Sequence, residues 1–345
     1  MKKIKSTLKY LLLKIDLFVC NIMSRTRVSS DIYYFLCSNK FSRQHQSVLK
    51  ARIKYYQDGK KSSALLRRNI HRLEKGLCMK PLRDSFALDY IKETVAAFNS
   101  GKVTNENKNT YIWYRDVLDE YFSNVKETDF IRKALEEFKK SSTYNELLEY
   151  SSQENKKSPF IYGVRSTNVT LCELNSLARA RHSVRWFVTK SVDRDSIEAC
   201  IETASKAPSA CNRQPFRYVI IDNKEQASKV ASYAMGTGGF SENITNLAIV
   251  VGDLSAYPFE RDRHVIYIDG ALSSMLLMLA FKSKGIDSCP INWPDIESRE
   301  KKMEKELNLG SHERPIMLIA FGYAESDSKI PFSEKKSVKE LVEYA

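Results

Sequence analysis

Ala-Pro-Ser-Ala-Cys-Asn-Arg-Gln-Pro, residues 207–215, joins a predicted helix to a predicted strand. Two prolines bracket a run of hydroxyl and amide side chains. Asn212 and Gln214 each offer a donor and an acceptor, which suits the alternating edge of a heteroaromatic ring. The alternative is an ordinary connection in which Ser209 and Asn212 only form turns. Nine residues exceed the roughly two to six that usually join a helix to a strand, and long ordered loops tend to be functional.

The elements on either side of this loop alternate between helix and strand. Asp193 can cap a helix whose buried stripe is Ile197, Cys200, Ile201 and Ala204. Apolar runs predict strands over residues 216–221, 247–251 and 315–321. A long apolar helix runs from about residue 267 to residue 284 and ends at Gly285. Strands separated by helices indicate an α/β fold or an α+β sheet sandwich.

Two further segments could bind a ligand. Arg181, Ser183 and Arg185 lie within five residues, with His182 between them, and guanidinium groups suit a phosphate. A basic surface turn is the alternative. Residues 285–294, GIDSCPINWP, follow the apolar helix, and their prolines could hold a backbone N–H towards a ligand. The alternative there is a rigid edge loop in which Trp293 is simply buried.

Together the three segments resemble the nitroreductase family of FMN-dependent oxidoreductases, over about residues 181–345. The resemblance implies an α/β (α+β sandwich) fold whose central, mainly antiparallel sheet is flanked by helices. It implies that Arg181, His182, Ser183 and Arg185 hold the FMN phosphate, with Lys329 as a further cation. It also implies that Pro208, Ser209, Ala210, Asn212 and Gln214 contact the ring and the ribityl chain, that Pro290 and Ile291 pack on the ring, and that Asn292 or Trp293 presents an N–H to flavin N5.

The same resemblance implies the activity. FMN would take a hydride at N5 from NADH or NADPH and pass electrons to a small-molecule acceptor in a ping-pong cycle, so that the protein supplies binding, orientation and electrostatics. It also implies a homodimer with FMN at the interface. No catalytic side chain and no metal ligand is predicted, and Cys211 and Cys289 are interpreted as packing residues. The alternative is an FMN-binding accessory or sensor protein without turnover.

Residues 1–158 are predicted to be a basic, mostly helical extension, and residues 159–345 the FMN-binding domain. The polar stretch 151–159 marks the junction. Within residues 65–77, LLRRNIHRLEKGL, the side chains of Arg68, Arg72 and Lys75 share one helical face, and Gly76 could follow the end of the helix. This face could contact an anion or a substrate, or it could simply be solvated.

The chain of 345 residues has a net charge of +13, and most of it lies in the first 60 residues, where 13 basic residues face three acidic ones. Apolar residues at helical spacing between lysines could form a helix on a membrane surface, or one packed on its own domain. The lysines and Asp16 exclude a spanning helix, and no signal peptide is evident. Seven cysteines without a CxxC pair favour a reducing compartment.

These features predict a cytoplasmic protein that could lie at the inner face of the membrane through residues 1–60. Nucleic-acid binding is not expected, because the positive charge lies outside the predicted FMN domain and no recognition motif occurs.

Overall fold

A computed structural model describes residues 2–59, 62–150, 156–161, 163 and 166–344, without the side chains of residues 2–6 and 9. The chain divides into two compact units, Met1–Lys50 and Ala51–Ala345. The predicted boundary between residues 158 and 159 therefore does not coincide with a division into compact units and stays a prediction. Residues 151–155 of the predicted junction lie outside the described residues.

The first half of the chain is helical, as predicted. Its helices are α1 Lys2–Met23, α2 Arg27–Leu36, α3 Ser42–Asp58, α4 Ser63–Leu77, α5 Ile91–Asn99, α6 Lys108–Asn124, α7 Asp129–Lys139 and α8 Ser142–Glu146. Residues from α4 to α8, together with Tyr55 of α3, form one hydrophobic core that includes Ile70, Leu118 and Phe138. This helical region therefore buries its own apolar side chains and does not depend on the sheet for a core.

The interpretation of Gly76 as the residue that follows the end of the helix is wrong. The residue lies inside the last turn of α4 and does not follow the end of the helix, which Cys78 caps. A Cβ at position 76 would overlap the aromatic ring of Phe86. The glycine therefore permits close packing between the helix and the following loop.

The strands of the second half form one four-stranded antiparallel sheet within the described residues. They are β1 Phe216–Ile221, β2 Asn246–Asp253, β3 Asp287–Asn292 and β4 Glu313–Gly322, in the spatial order β1-β2-β4-β3. The remaining helices are α9 Leu171–Ala180, α10 Arg194–Ala204, α11 Lys224–Ala231, α12 Val265–Ser283, α13 Glu297–Leu307 and α14 Val338–Leu341. The predicted sandwich of helices on a mainly antiparallel sheet is confirmed.

Local sequence signals explain where these elements begin and end. The Asp193 carboxylate accepts a hydrogen bond from the Ser196 N–H at 2.7 Å and caps α10, as predicted. Helix α12 ends at Ser283, and Gly285 adopts the positive φ of +74° that a helix end often requires. A Cβ on Gly270 would lie 2.7 Å from Ile316 of β4, so this glycine brings α12 close to the sheet.

Candidate cofactor site

The segment around Ser183 lies directly beside β3. Ser183 forms an isolated parallel bridge with Ser288, and the Val184 N–H donates to the Ser288 carbonyl oxygen at 3.1 Å. The Asn243 side-chain amide donates to the Arg185 carbonyl oxygen at 3.1 Å. The fold thus brings the first and third predicted segments together, although they are about a hundred residues apart in sequence.

A cavity of about 610 Å³ opens beside this segment. Its walls come from α9, from the segment that follows α9 and from the C-terminal tail: Asn175, Ala178, Arg179, Arg181, His182, Ser183, Arg185, Pro331, Phe332, Ser333, Glu334 and Lys335. Its volume falls within the range of about 300–1,000 Å³ that is usual for small-molecule sites. Four cations, Arg179, Arg181, Arg185 and Lys335, face a single acidic residue, so the cavity favours an anion.

The C-terminal tail contributes a cation to the cavity, but it is not the one that the sequence predicts. Lys335 lies in the cavity wall. Lys329 is exposed, and among the described residues the tail's contribution to the cavity begins at Pro331. A role for Lys329 in phosphate binding therefore stays a prediction.

Arg185 is held in place by its surroundings. Its Nη1 donates to the Ser183 carbonyl oxygen at 3.2 Å, and its guanidinium carbon lies 5.7 Å from the centre of the Phe240 ring. Burial raises the pKa of the nearby Cys289 thiol, while the charges of Arg185 and Arg181 act in the opposite direction. Cys289 is 2% exposed and remains a thiol at neutral pH, which agrees with a packing role.

Residues 207–215 adopt an unusual backbone. Cys211, Asn212 and Gln214 all have positive φ values, of 52°, 51° and 52°. Such values are uncommon outside glycine, and residues that are held in them cluster at functional sites. Hydrogen bonds hold the loop: the Gln214 N–H donates to the Ser209 hydroxyl at 3.1 Å, and the Gln214 amide donates to the Asn212 side-chain oxygen at 2.8 Å.

The sequence analysis missed two residues that support this loop, Asp269 of α12 and Arg213 of the loop itself. The Asp269 carboxylate in α12 accepts a hydrogen bond from the Ala210 N–H at 3.0 Å. Burial raises the pKa of Asp269, while that hydrogen bond and the charge of Arg213 act in the opposite direction. Arg213 is 8% exposed and lies 4.8 Å from the centre of the Tyr257 ring. The available signal was an acidic residue inside an otherwise apolar helix.

Helix α4, which carries the HRLEKGL stretch, packs against the short helical turn Ala210–Asn212 in this loop. Burial raises the pKa of Tyr55, while the charges of Arg68 in α4 and Arg213 in the loop act in the opposite direction. Other residues of the stretch make contacts within the helical region. The guanidinium carbon of Arg72 lies 3.7 Å from the centre of the Tyr90 ring. Helix α4 therefore supports the loop, while the contacts of the HRLEKGL residues themselves lie within the helical region.

Residues 287–292 of the third segment form strand β3, so the alternative of a rigid edge loop is wrong, although Trp293 is buried as that alternative expected. Pro290 and Ile291 lie in β3 and pair with Ile319 and Leu318. β3 is at the edge of the sheet, where a proline is tolerated because its missing N–H removes no essential ladder hydrogen bond. The Trp293 indole N–H donates to Glu300 at 2.6 Å. That indole is therefore engaged within the protein, and of this residue only the backbone N–H is left as a donor for a cofactor.

Within the described residues of a single chain, the first and third predicted segments lie close together, and the loop 207–215 does not join them. The loop 207–215 precedes β1, whereas the cavity adjoins β3, and these strands are the opposite edges of the sheet. Three strand spacings of about 4.8 Å separate them by about 14 Å. The described residues that line the cavity come from α9, the segment after it and the C-terminal tail, and none comes from residues 207–215.

The order and spacing of these segments agree with a known family. The family model described as "Nitroreductase family" matches residues 178–242 and 245–323. The C-terminal half of the chain is nitroreductase-like. The match begins in α9 and ends at the close of β4, so it includes all three segments of this nitroreductase-like half.

Individual relatives align over the same half. A Bacillus subtilis protein, YdgI, whose name describes an NAD(P)H nitroreductase, is 26% identical over 189 residues, or 44% of this chain and 88% of its own length. An iodotyrosine deiodinase from Thermotoga neapolitana is 26% identical over 188 residues, or 47% of this chain and 94% of its own length. A nitroreductase-family crystal structure from Streptococcus pneumoniae covers 50% of this chain and all of its own, with 24% identity and a TM-score of 0.43.

Proposed function

We propose that this protein is an FMN-dependent oxidoreductase that uses NADH or NADPH to reduce a small-molecule acceptor. The observation that carries the proposal is the cavity of about 610 Å³ in which Arg181 and Arg185 lie beside Ser183 and the edge strand β3. The match to the nitroreductase family model and the NAD(P)H nitroreductase name of YdgI support the same activity.

The residues present fit FMN. Arg181, Arg185 and Lys335 would bind its phosphate together with the Ser183 hydroxyl, because guanidinium and ammonium groups form charge-assisted hydrogen bonds with phosphate oxygens. The Asn212 and Gln214 side chains supply the mixed donors and acceptors that the edge of a flavin requires. FMN, when bound, would supply two-electron hydride transfer between the nicotinamide and the acceptor.

In this proposal, a second copy of the chain contributes the loop 207–215 that completes the site. The loop 207–215 and the cavity lie at opposite edges of one sheet, so a loop from the partner would have to cover the cavity. Helix α12 carries an apolar stripe of Ile268, Leu272 and Met275, which are 58%, 45% and 43% exposed. Asp269, which supports the loop, is on the same helix. A twofold contact through this stripe would bury it.

The activity is tested with the purified full-length protein. We expect bound FMN to give a flavin absorption spectrum that bleaches under anaerobic NADH or NADPH and returns when an electron acceptor is added. A screen of nitro compounds, quinones and halogenated aromatics would then define the acceptor class. A protein that binds FMN but is not reduced by either nicotinamide would instead support the accessory or sensor alternative.

Mixing two inactive variants tests the shared site. The first variant is Arg181→Ala with Arg185→Ala, and the second is Asn212→Ala with Gln214→Ala. Each homodimer should bind FMN poorly, because every site has one defective half. Heterodimers should regain one intact site of the two, and flavin content after refolding of a mixture measures this. If the mixture binds no more FMN than its components, each site is built within one chain and the dimer proposal fails.

A further inference from the structure

Helices α1 and α2 form a hairpin within the N-terminal unit. The hydroxyls of Ser29 and Ser30 donate to the Met23 carbonyl oxygen at 2.7 and 3.0 Å, and the Tyr33 hydroxyl donates to the Asp16 carboxylate at 2.8 Å. Thr26 caps α2 through its side chain. These contacts hold the turn between the two helices and join the side chains of Tyr33 and Asp16. None of them buries an apolar residue of either helix.

The apolar residues of this hairpin are exposed. One stripe along α1 has apolar residues at three- and four-residue spacing that are 42–65% exposed, and Leu13 and Leu17 outside the stripe are exposed as well. The stripe consists of Leu8, Leu11, Leu12, Ile15, Phe18 and Ile22. Helix α2 has no buried residue and adds Val28, Ile32, Phe35 and Leu36, which are 45–84% exposed. Many exposed large apolar side chains on neighbouring helices indicate an interaction site.

The same hairpin also carries exposed basic residues. Lys14, Arg25 and Arg27 are exposed, and the first 60 residues carry a net charge of +10. The hairpin does not have the composition of a spanning helix. Within the described part of the chain, residues 260–283 alone are long and apolar enough to cross a membrane, and half of that stretch is buried. An exposed apolar stripe beside cations is typical of a helix that lies in the plane of a bilayer.

We propose that the hairpin of α1 and α2 binds the surface of an anionic lipid bilayer. The apolar stripe would enter the boundary between headgroups and acyl chains, while the lysine and arginine side chains would contact anionic headgroups. A second copy of the hairpin is a poorer occupant, because residues 2–36 contain seven basic and two acidic residues, and two such hairpins would repel each other. The proposal is independent of the proposed redox activity, and it would place the protein at the inner face of a membrane.

The charge component is tested by sedimenting the full-length protein with vesicles of phosphatidylcholine containing about 30% phosphatidylglycerol. We expect binding that weakens as salt rises and that is much weaker on pure phosphatidylcholine. Arg25→Glu with Arg27→Glu should reduce the affinity about twentyfold or more, because each basic residue near such a surface contributes about fivefold. Lys126→Glu with Lys133→Glu, which makes the same charge change at exposed positions of the helical region, should have little effect.

The apolar component is tested with Leu11→Ser combined with Ile15→Ser. This variant should also lose vesicle binding, while its FMN content and circular dichroism stay unchanged, since neither residue is buried. Val338→Ser with Leu341→Ser is the matched control on exposed apolar residues of α14. The proposal is overturned if the protein fails to sediment with anionic vesicles, binds pure phosphatidylcholine equally well, or uses Leu11 and Ile15 only to self-associate.

Discussion

Replacing Arg181 and Arg185 together by alanine should weaken FMN binding by at least about a hundredfold. Both guanidiniums line the same cavity, and a hydrogen bond to a charged group contributes about 1.5–3 kcal/mol. Two such bonds to one phosphate would therefore be lost. Titration of the flavin-free protein with FMN, followed by quenching of flavin fluorescence, measures the dissociation constant directly.

A matched control separates this effect from the loss of positive charge in general. Arg194 and Arg261 have side chains that are 78% and 77% exposed, and Arg194 pairs with Asp222. Replacing both by alanine changes the net charge equally and should leave FMN affinity within about twofold, because exposed ion pairs contribute little to stability. Unchanged affinity in the variant at positions 181 and 185 would show that the phosphate binds elsewhere.

Asp116→Ala should lower the free energy of unfolding by about 3–5 kcal/mol, the usual cost of removing one partner from a buried ion pair. The carboxylate accepts hydrogen bonds from Arg115 Nε and Nη2 at 3.0 and 2.6 Å, and from the Lys157 N–H at 2.8 Å. The Arg115 and Asp116 side chains are 3% and 6% exposed. Arg115 also donates to the Leu147 carbonyl oxygen. Urea unfolding followed by circular dichroism measures the change.

Asp119→Ala is the appropriate comparison on the same helix. Asp119 pairs with Lys139 at 2.5 Å, but the side chains are 26% and 43% exposed, so the loss should be no more than about 1 kcal/mol. The double variant Arg115→Met with Asp116→Leu should recover much of the lost stability, because apolar residues need no partner. Equal losses for Asp116→Ala and Asp119→Ala would mean that burial of the pair has no energetic consequence.

Local patterns predicted most of the sheet. The apolar runs at residues 216–221, 247–251 and 315–321 all lie within strands, because a nearly continuous run of apolar, β-branched residues suits a strand that is covered on both faces. Asp193 and Gly285 mark helix ends because capping depends on neighbouring residues alone. The sequence did not predict β3, because the tolerance of Pro290 in a strand depends on an edge position that only the tertiary fold determines.

The candidate site was less accessible to sequence reasoning. The pattern of Arg181, Ser183 and Arg185 is visible within five residues, and the structure places them in one cavity. The contribution of Lys335 depends on the path of the C-terminal tail, which no local pattern specifies. The support that Asp269 gives to Ala210 joins residues 59 positions apart. Such contacts follow from packing, and a lone aspartate in a helix has no partner that sequence spacing can identify.

The packing of helix α4 against the turn Ala210–Asn212 predicts a structural cost of truncating this protein. A truncated protein of the length of relatives such as YdgI would lack helix α4, which packs against one side of this turn. The loop would keep the positive φ values of Cys211, Asn212 and Gln214 but lose the helix that packs against its turn and opposes their relaxation. The helical half thus has its own hydrophobic core and also supports a loop of the nitroreductase-like half, so we expect its removal to alter that loop.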